Sequence, residues 1–260
     1  MIENALVGFT GFVGSNLAGQ YHFEALFNSS NIESIAGREF DLLVFAGAQS
    51  KKWWANQNPE ADWAGIQKAI GPLSTTKAAR PILISTIDVI PPESANADES
   101  TDCHTGPETG YGYNRLRLED AFREIFPNAP IVRLPGLFGP GLKKNVIFDL
   151  LHDNGLDKIN PASEFQYYDT TRLWADIGIV MREKLPLVHL FTEPVGTSEI
   201  LERFFPQAVV GRDAAPEAHY DFHTRYGQLF GCDARYIEGR ASVLARLGTF
   251  IAGEKTKVPL

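Results

Sequence analysis

The sequence predicts an α/β protein: a doubly wound parallel sheet with a small, mainly C-terminal lobe. Three observations predict it. An apolar run, Ala5 to Val7, passes directly into glycines at three-residue spacing, Gly8, Gly11 and Gly14. Short strand-like runs then alternate with helical patterns as far as Leu134. The length, 260 residues, suits one large α/β domain or one domain carrying a grafted lobe.

The glycine turn organises the rest. A strand that turns sharply into a helix needs glycine where φ is positive or where a ligand must approach the backbone. The helix N-terminus beyond it offers unpaired N–H groups and partial positive charge, a seat for a pyrophosphate. Gly8, Thr10, Gly11, Phe12, Val13 and Gly14 are therefore candidate cofactor-binding residues. The strand before and the helix after, with Leu17 opening an apolar face, favour a dinucleotide site over a merely structural turn.

The elements follow in order. Phe23 to Phe27 reads as a second strand ending in Asn28-Ser29-Ser30-Asn31, where dinucleotide folds face the adenosine ribose. No carboxylate stands there to favour NAD, and Arg38 lies near in sequence, so NAD and NADP both stay open. Asn28 and Ser29 are the candidate contacts. Only a short helical piece, residues 32 to 36, precedes the third strand, Asp41 to Phe45, so this half of the fold is trimmed. Ala46, Gly47 and Ala48 close that strand with small residues, as a nearby cofactor requires. Residues 51 to 63 read as a loop, capped by Asn58 and Pro59 into a helix. Its Lys51, Lys52 or Trp53 is a candidate substrate contact, with packing as the competing reading for Trp53.

Pro81 to Ile84 is the next strand, leading into Ser85 and Thr86. Residues 91 to 107 form a polar loop long enough to suggest a lid or an active-site flank. A helix then starts near Gly110 and buries Leu118, Phe122 and Ile125 or Phe126; Pro127 and Asn128 end it. Ile131 to Leu134 is a strand, and Pro135 to Gly141 a glycine/proline turn. Helices are expected through residues 148 to 151 and 169 to 181, and a late strand at 187 to 191. From Val195 onward the reading is mostly helical, ending in a helix near residues 242 to 251.

Composition sets limits. The formal net charge is −8 with no basic run, which argues against nucleic acid and anionic membrane as partners. The two cysteines, Cys103 and Cys232, suggest neither a disulfide framework nor a CxxC zinc site. His219 and His223 lack an evident third ligand, so no metal is expected. With no span-length apolar stretch and a strand from residue 2, a cytoplasmic setting is expected.

Tyr111 and Arg115, with the Thr86 hydroxyl, offer a candidate acid–base group. A phenol has a pKa of about 10, too high for a base at neutral pH. A cation one helical turn away lowers it by favouring the phenolate. Tyr111 and Arg115 stand at i, i+4 and share a face, as do Tyr113 and Arg117. The Thr86 hydroxyl can bond the same substrate oxygen while hydride moves to or from nicotinamide.

The glycine turn, Ser85-Thr86, Tyr111-x-x-x-Arg115 and Arg133 followed by Pro135 to Gly141 together resemble the extended short-chain dehydrogenase/reductase family, in its NAD-dependent epimerase/dehydratase branch. The match covers residues 1 to about 150 and is looser beyond. It implies a Rossmann domain over 1–140, to which the late strand returns, and a substrate lobe over 141–260. It implies NAD or NADP as cofactor, with Ser85 and Pro135 near it. It implies Thr86 and Tyr111 as catalytic residues, and Asn145 facing a sugar diphosphate beside Lys143. Asp88 is a further candidate for orienting substrate, or a turn cap. A small-molecule substrate, a nucleotide-sugar or similar polyol, and a homodimer follow from the same resemblance. The departure is Arg115, where the family has lysine: a guanidinium is bulkier and cannot give up its proton. The alternative is a cofactor-binding module or sensor with weak or no catalysis. A reductase of small non-sugar carbonyls shares the same core.

Overall fold

The computed structural model describes residues 3–94, 96–232 and 235–257. The chain forms two compact units, one from residues 1–134 and 173–189, the other from 135–172 and 190–260. The division falls at Leu134 instead of residue 140, and the first unit takes back a helix as well as the late strand.

The first unit is a six-stranded parallel sheet. Its strands are β1 (Glu3–Val7), β2 (Ala25–Phe27), β3 (Glu39–Phe45), β4 (Lys77–Thr86), β5 (Ile131–Leu134) and, late in the chain, β9 (Leu187–His189), in the order β2-β1-β3-β4-β5-β9. The run Leu42 to Phe45 is buried throughout, as in a parallel sheet covered on both faces. Covering it are α1 (Phe12–Gln20), α3 (Pro59–Ile70), α4 (Gly110–Ile125) and α6 (Leu173–Arg182). Only a 3-10 turn, Ile32–Ile35, links β2 to β3, which is the trimming expected there. Phe45, Phe122 and Phe126 pack in series, with ring centroids 5.8 and 5.1 Å apart.

Several elements differ from expectation. Residues 52 to 57 are a helix, α2 (Lys52–Gln57), not a loop. Strand β4 starts at Lys77, four residues before Pro81. Pro81 is tolerated inside it because β5 pairs only from Leu83 onward, leaving β3 as the sole neighbour at that point. Part of the glycine/proline turn is a strand, β6 (Gly136–Phe138).

The second unit holds β6, α5 (Val146–Leu151), β7 (Glu164–Phe165), β8 (Tyr167–Asp169), β10 (Val195–Gly196), α7 (Thr197–Phe204) and α8 (Arg240–Lys255). Strand β6 pairs with β8, and β7 with β10. Phe138, Ile147, Val195, Ile200, Val243, Leu244 and Leu247 form its core. The mostly helical reading after Val195 fails between α7 and α8. Among the described residues there, only a 3-10 turn at Gly227–Phe230 is helical. Pro206, Pro216 and Gly211, the last at φ +77°, break any 3.6-residue pattern. The segment instead docks by backbone bonds, such as Ile237 N–H to Phe191 O at 2.8 Å.

Phe122 is fully buried at the centre of the first unit's core. Phe122→Ala is expected to cost about 3–5 kcal/mol of stability. Urea unfolding with an unchanged slope would register it.

Candidate functional site

The glycine turn is built from close backbone contacts. Gly8 has φ +89°, and a Cβ there would lie 2.3 Å from Ala46 O. A Cβ on Gly14 would lie 2.1 Å from Gly8 O. The first glycine therefore serves the tight turn, and the third lets α1 pack against it. Gly11 is exposed and caps α1 with no side-chain bond to the helix's first N–H groups. No acidic residue in the first turn offsets the helix's positive end. Thr10 is exposed; Phe12 and Val13 are half-buried in the turn's lip. This cradle fits a dinucleotide pyrophosphate: a helix N-terminus without a side-chain cap, and no room for side chains at the two packed glycines.

The neighbouring strand ends complete that edge. Ala46, Gly47 and Ala48 are half-buried after β3, and Ala46 N–H donates to Val7 O at 2.9 Å. At the β2 tip, Asn28 Oδ1 accepts from Ser30 N and Oγ, and Asn31 Oδ1 accepts from Asn28 N–H at 2.7 Å. This turn is closed on itself, with Ser29 exposed beside it. Arg38 is not part of it. It sits before β3, at the opposite end of the sheet, paired with Glu3 and lying over the Phe27 and Phe40 rings.

The catalytic group departs from expectation in one respect that matters. Tyr111 is buried in the first turn of α4, with Arg115 one turn on. The guanidinium carbon lies 4.2 Å from the centre of the Tyr111 ring. That cation is already paired: Arg115 Nη1 reaches Asp62 Oδ2 at 2.9 Å and Nη2 reaches Oδ1 at 3.0 Å. Nη2 also donates to Gln49 O, and both side chains of the pair are buried. Burial, with the carboxylates of Asp88 and Asp62 adding to it, holds the Tyr111 phenol above its ordinary value despite Arg115. The expected lowering is thus corrected: desolvation outweighs a cation whose charge is shared with Asp62. In the competing pair, Arg117 lies over the Tyr113 ring at 5.5 Å and closer over the Trp63 ring, at 3.7 Å.

Thr86 ends β4, and its Oγ accepts from Asp88 N–H at 3.2 Å, capping the turn that follows. Asp88 Oδ1 accepts from Lys52 Nζ at 2.6 Å. Asn56 of α2 accepts the Tyr111 N–H at 2.8 Å, so α2 is fastened to both sides of the tyrosine. A Cβ on Gly112 would lie 2.0 Å from Asp88 O, which is why glycine follows the tyrosine. Trp53, on α2, is 65 % exposed and contributes nothing to the core, so the packing reading for it falls away.

Ser85 is not turned to a cofactor. Its hydroxyl donates to Glu119, which is bound by Arg133 through Nε at 3.0 Å and Nη2 at 2.6 Å. Arg133 Nη1 also reaches Cys103 Sγ at 3.3 Å and His189 Nε2 at 3.2 Å. Glu99 Oε1 accepts the His189 N–H at 2.8 Å. The long loop after β4 is thereby tied to the sheet through Glu99 and Cys103 and is no free lid; burial pushes the Cys103 thiol up.

Three predicted residues belong to the second unit. Pro135 is buried and Lys143 exposed. Asn145 is the N-cap of α5: Oδ1 accepts from Phe148 N–H at 3.1 Å, and Nδ2 donates to Leu137 O at 2.8 Å. Each end of its amide makes one backbone bond, which leaves capacity at both for the diphosphate contact implied for it. Asp62, Asn56 and Glu119 were not singled out by sequence, and Lys52 was singled out only as a possible substrate contact. Glu119 stands at i+4 from Arg115, yet Arg115 takes Asp62 from another helix, a choice that no local spacing signals.

No family model matches the sequence, and no curated protein matches it. Solved structures do. A dTDP-4-dehydrorhamnose reductase from Yersinia enterocolitica superposes with a TM-score of 0.71 at 14% identity, covering 96% of this chain and 98% of its own. A UDP-glucose 4-epimerase from Thermotoga maritima, bound to UDP-glucose, gives 0.73 at 13% identity, covering 98% and 100%. A dTDP-4-dehydrorhamnose reductase from Bacillus anthracis, in complex with NADP, gives 0.70 at 15% identity, covering 97% and 99%. These likenesses show the fold: this chain has a Rossmann-type α/β fold.

Two outcomes follow from the packing around Tyr111. Gly112→Ala drives a methyl into Asp88 O and is expected to cost about 1–3 kcal/mol, read by thermal or urea unfolding. His104 lies between Asp102 and Asp120, 3.1 Å from each, and its bonds to Asp120 and then Asp102 raise its pKa. Its stabilisation is therefore full below the unfolded value and lost as pH rises through the higher folded one. Wild type is expected to exceed His104→Gln by less than about 1 kcal/mol at acid pH, the side chain being exposed, and to match it in alkali.

Proposed function

We propose that this chain is a nicotinamide-dinucleotide-dependent oxidoreductase of the extended short-chain dehydrogenase/reductase kind, acting on a nucleotide-linked sugar. The observation that carries the reading is the backbone cradle of Gly8, Gly11 and Gly14. It opens at the same sheet edge as Thr86 and Tyr111, because β1, β3 and β4 run parallel. Gly11, Phe12, Val13 and Gly14 would hold the pyrophosphate, Asn28 and Ser29 the ribose, and Ala46 to Ala48 the adjoining wall. A bound nicotinamide accepts or supplies hydride at a substrate carbon. Tyr111 exchanges the proton on the substrate oxygen, and Thr86 donates a hydrogen bond to that oxygen. Trp53 offers an exposed aromatic face to the substrate, and Asp88 a carboxylate held by Lys52. Similarity to a reductase and an epimerase supports the substrate class. A homodimer is carried over from the resemblance; a cytoplasmic setting is the default expectation for such a composition.

One observation favours a second reading, a cofactor-binding module without turnover: the cation beside Tyr111 is arginine, and Asp62 already holds it. Titration with NAD, NADP and their reduced forms, followed by a panel of dTDP- and UDP-linked keto sugars, separates the two. For the enzyme, Tyr111→Phe is expected to bind cofactor normally and to lose about 100-fold or more in kcat/KM. Full turnover in that variant would remove Tyr111 from the chemistry. Cofactor binding with no change in nicotinamide absorbance across the panel would support the module.

A further inference from the structure

We propose that Thr86 and the Asp88–Lys52 pair select a substrate whose reacting carbonyl carries a hydroxyl on the adjacent carbon. Asp88 Oδ2 accepts from that hydroxyl while Thr86 donates to the carbonyl oxygen, and Lys52 is the positioning residue that holds the carboxylate in place. The proposal rests on the oxidoreductase reading and deepens it. It names the group beside the reacting carbon, and so separates a hydroxy ketone, as in a keto sugar, from a simple ketone.

The argument starts from the end of β4. Thr86 Oγ accepts from Asp88 N–H at 3.2 Å, which leaves the hydroxyl proton as its one donor. The acceptor of that proton is Asp88 Oδ2, 3.4 Å away. An O–H···O bond is ordinarily about 2.5–3.0 Å long, so this contact is weak and easily exchanged. The other carboxylate oxygen, Oδ1, accepts from Lys52 Nζ of α2 at 2.6 Å. Asp88 is thus held at both ends, its backbone by Thr86 and its carboxylate by Lys52. The pair is within reach of a ligand: the Asp88 side chain is 19 % exposed and that of Lys52 48 %. It also stands near the Tyr111 phenol, whose ionisation the Asp88 charge opposes.

Binding a carbonyl forces an exchange. Thr86 has one proton, and once it turns to the substrate oxygen, Asp88 Oδ2 loses its partner. A carboxylate oxygen stripped of its bond in a site closed to water is costly. A hydroxyl on the neighbouring carbon removes that cost, because a carboxylate only accepts and a hydroxyl can donate. The two substrate oxygens are near neighbours, and Thr86 Oγ and Asp88 Oδ2 are spaced to take one each. A ketone without the hydroxyl leaves Oδ2 bare. Lys52 fixes which carboxylate oxygen is offered; without it Asp88 can turn to Thr86 and compete for its proton.

The test is equilibrium binding of matched ligands: a dTDP- or UDP-linked keto sugar with a hydroxyl beside the ketone, and its deoxy counterpart lacking only that hydroxyl. Oxidised NAD or NADP is present, which cannot reduce a ketone, and occupancy is read by calorimetry. Wild type is expected to bind the hydroxy ketone about tenfold or more tighter than the deoxy compound. In Asp88→Ala the two affinities are expected to fall within about threefold of each other. Lys52→Ala is expected to narrow the preference, and Lys52→Arg to restore it, a rescue that loss of packing alone would not give. Equal affinity for both ketones in wild type, no binding of either, or an undiminished preference in Asp88→Ala would overturn the proposal. Should Asp88→Ala fail to fold, Lys52→Ala decides, and an unchanged preference there counts against it. Turnover is read separately with the reduced dinucleotide. A preference in binding with no hydride transfer to any ketone would keep the hydroxyl site and overturn the oxidoreductase reading.

Discussion

Asp62 and Arg115 meet in the dry interior of the first unit, and much of the site's geometry hangs on their contact. The pair joins α3 to α4, and the Arg115 bond to Gln49 O brings in the chain leaving β3. Taking two charges out of water is expensive, and only good geometry repays it. Here the geometry is bidentate, and Asn114 adds a further bond to Asp62 at 3.0 Å. Removing one partner would leave a buried charge alone, a loss of about 3–5 kcal/mol in comparable cases. The pair therefore acts as a structural fastener first. Its effect on Tyr111 is a by-product of where that fastener sits.

A second buried ion pair does comparable work one turn further along α4. Glu119 takes Arg133 from β5, and Arg133 in turn gathers Cys103 and His189. Helix α4 thus carries two interior charges at i, i+4, Arg115 and Glu119, and each finds its partner on a different element. The first locks α4 to α3; the second locks it to the sheet and the loop that follows β4. Tyr111 stands at the end of this doubly fixed helix. Its position is set by buried ion pairs further along the helix.

The parallel sheet was legible because its evidence is local: an apolar strand, glycines at fixed spacing, a helix start. Gly8 and Gly14 could be read from sequence since each answers a backbone contact that tolerates no Cβ. The trimmed link between β2 and β3 was legible as a matter of chain length. The segment between α7 and α8 was not, because its folding relies on backbone bonds to distant residues such as Phe191 and Glu164. In the site, Tyr111 and Thr86 were legible as residue types in order along the chain. The state of Arg115 was not: its partner lies 53 residues away, and pairing across two helices leaves no trace in either one's pattern. The N-cap role of Asn145 was not legible, because an asparagine that caps a helix and one that faces a ligand look alike in sequence.

The sheet's borders carry a consequence of their own. Its two outermost strands, β2 and β9, have three residues each. An unpaired strand border is a template on which another chain can add itself, and the hazard grows with its length. The missing strand and helix after β2 leave β2 as one border, and Leu26 on it is exposed. Three residues present too few backbone groups to seed a continuous ladder between molecules. Brevity at both borders lets the protein dispense with a covering strand and still resist edge-to-edge aggregation.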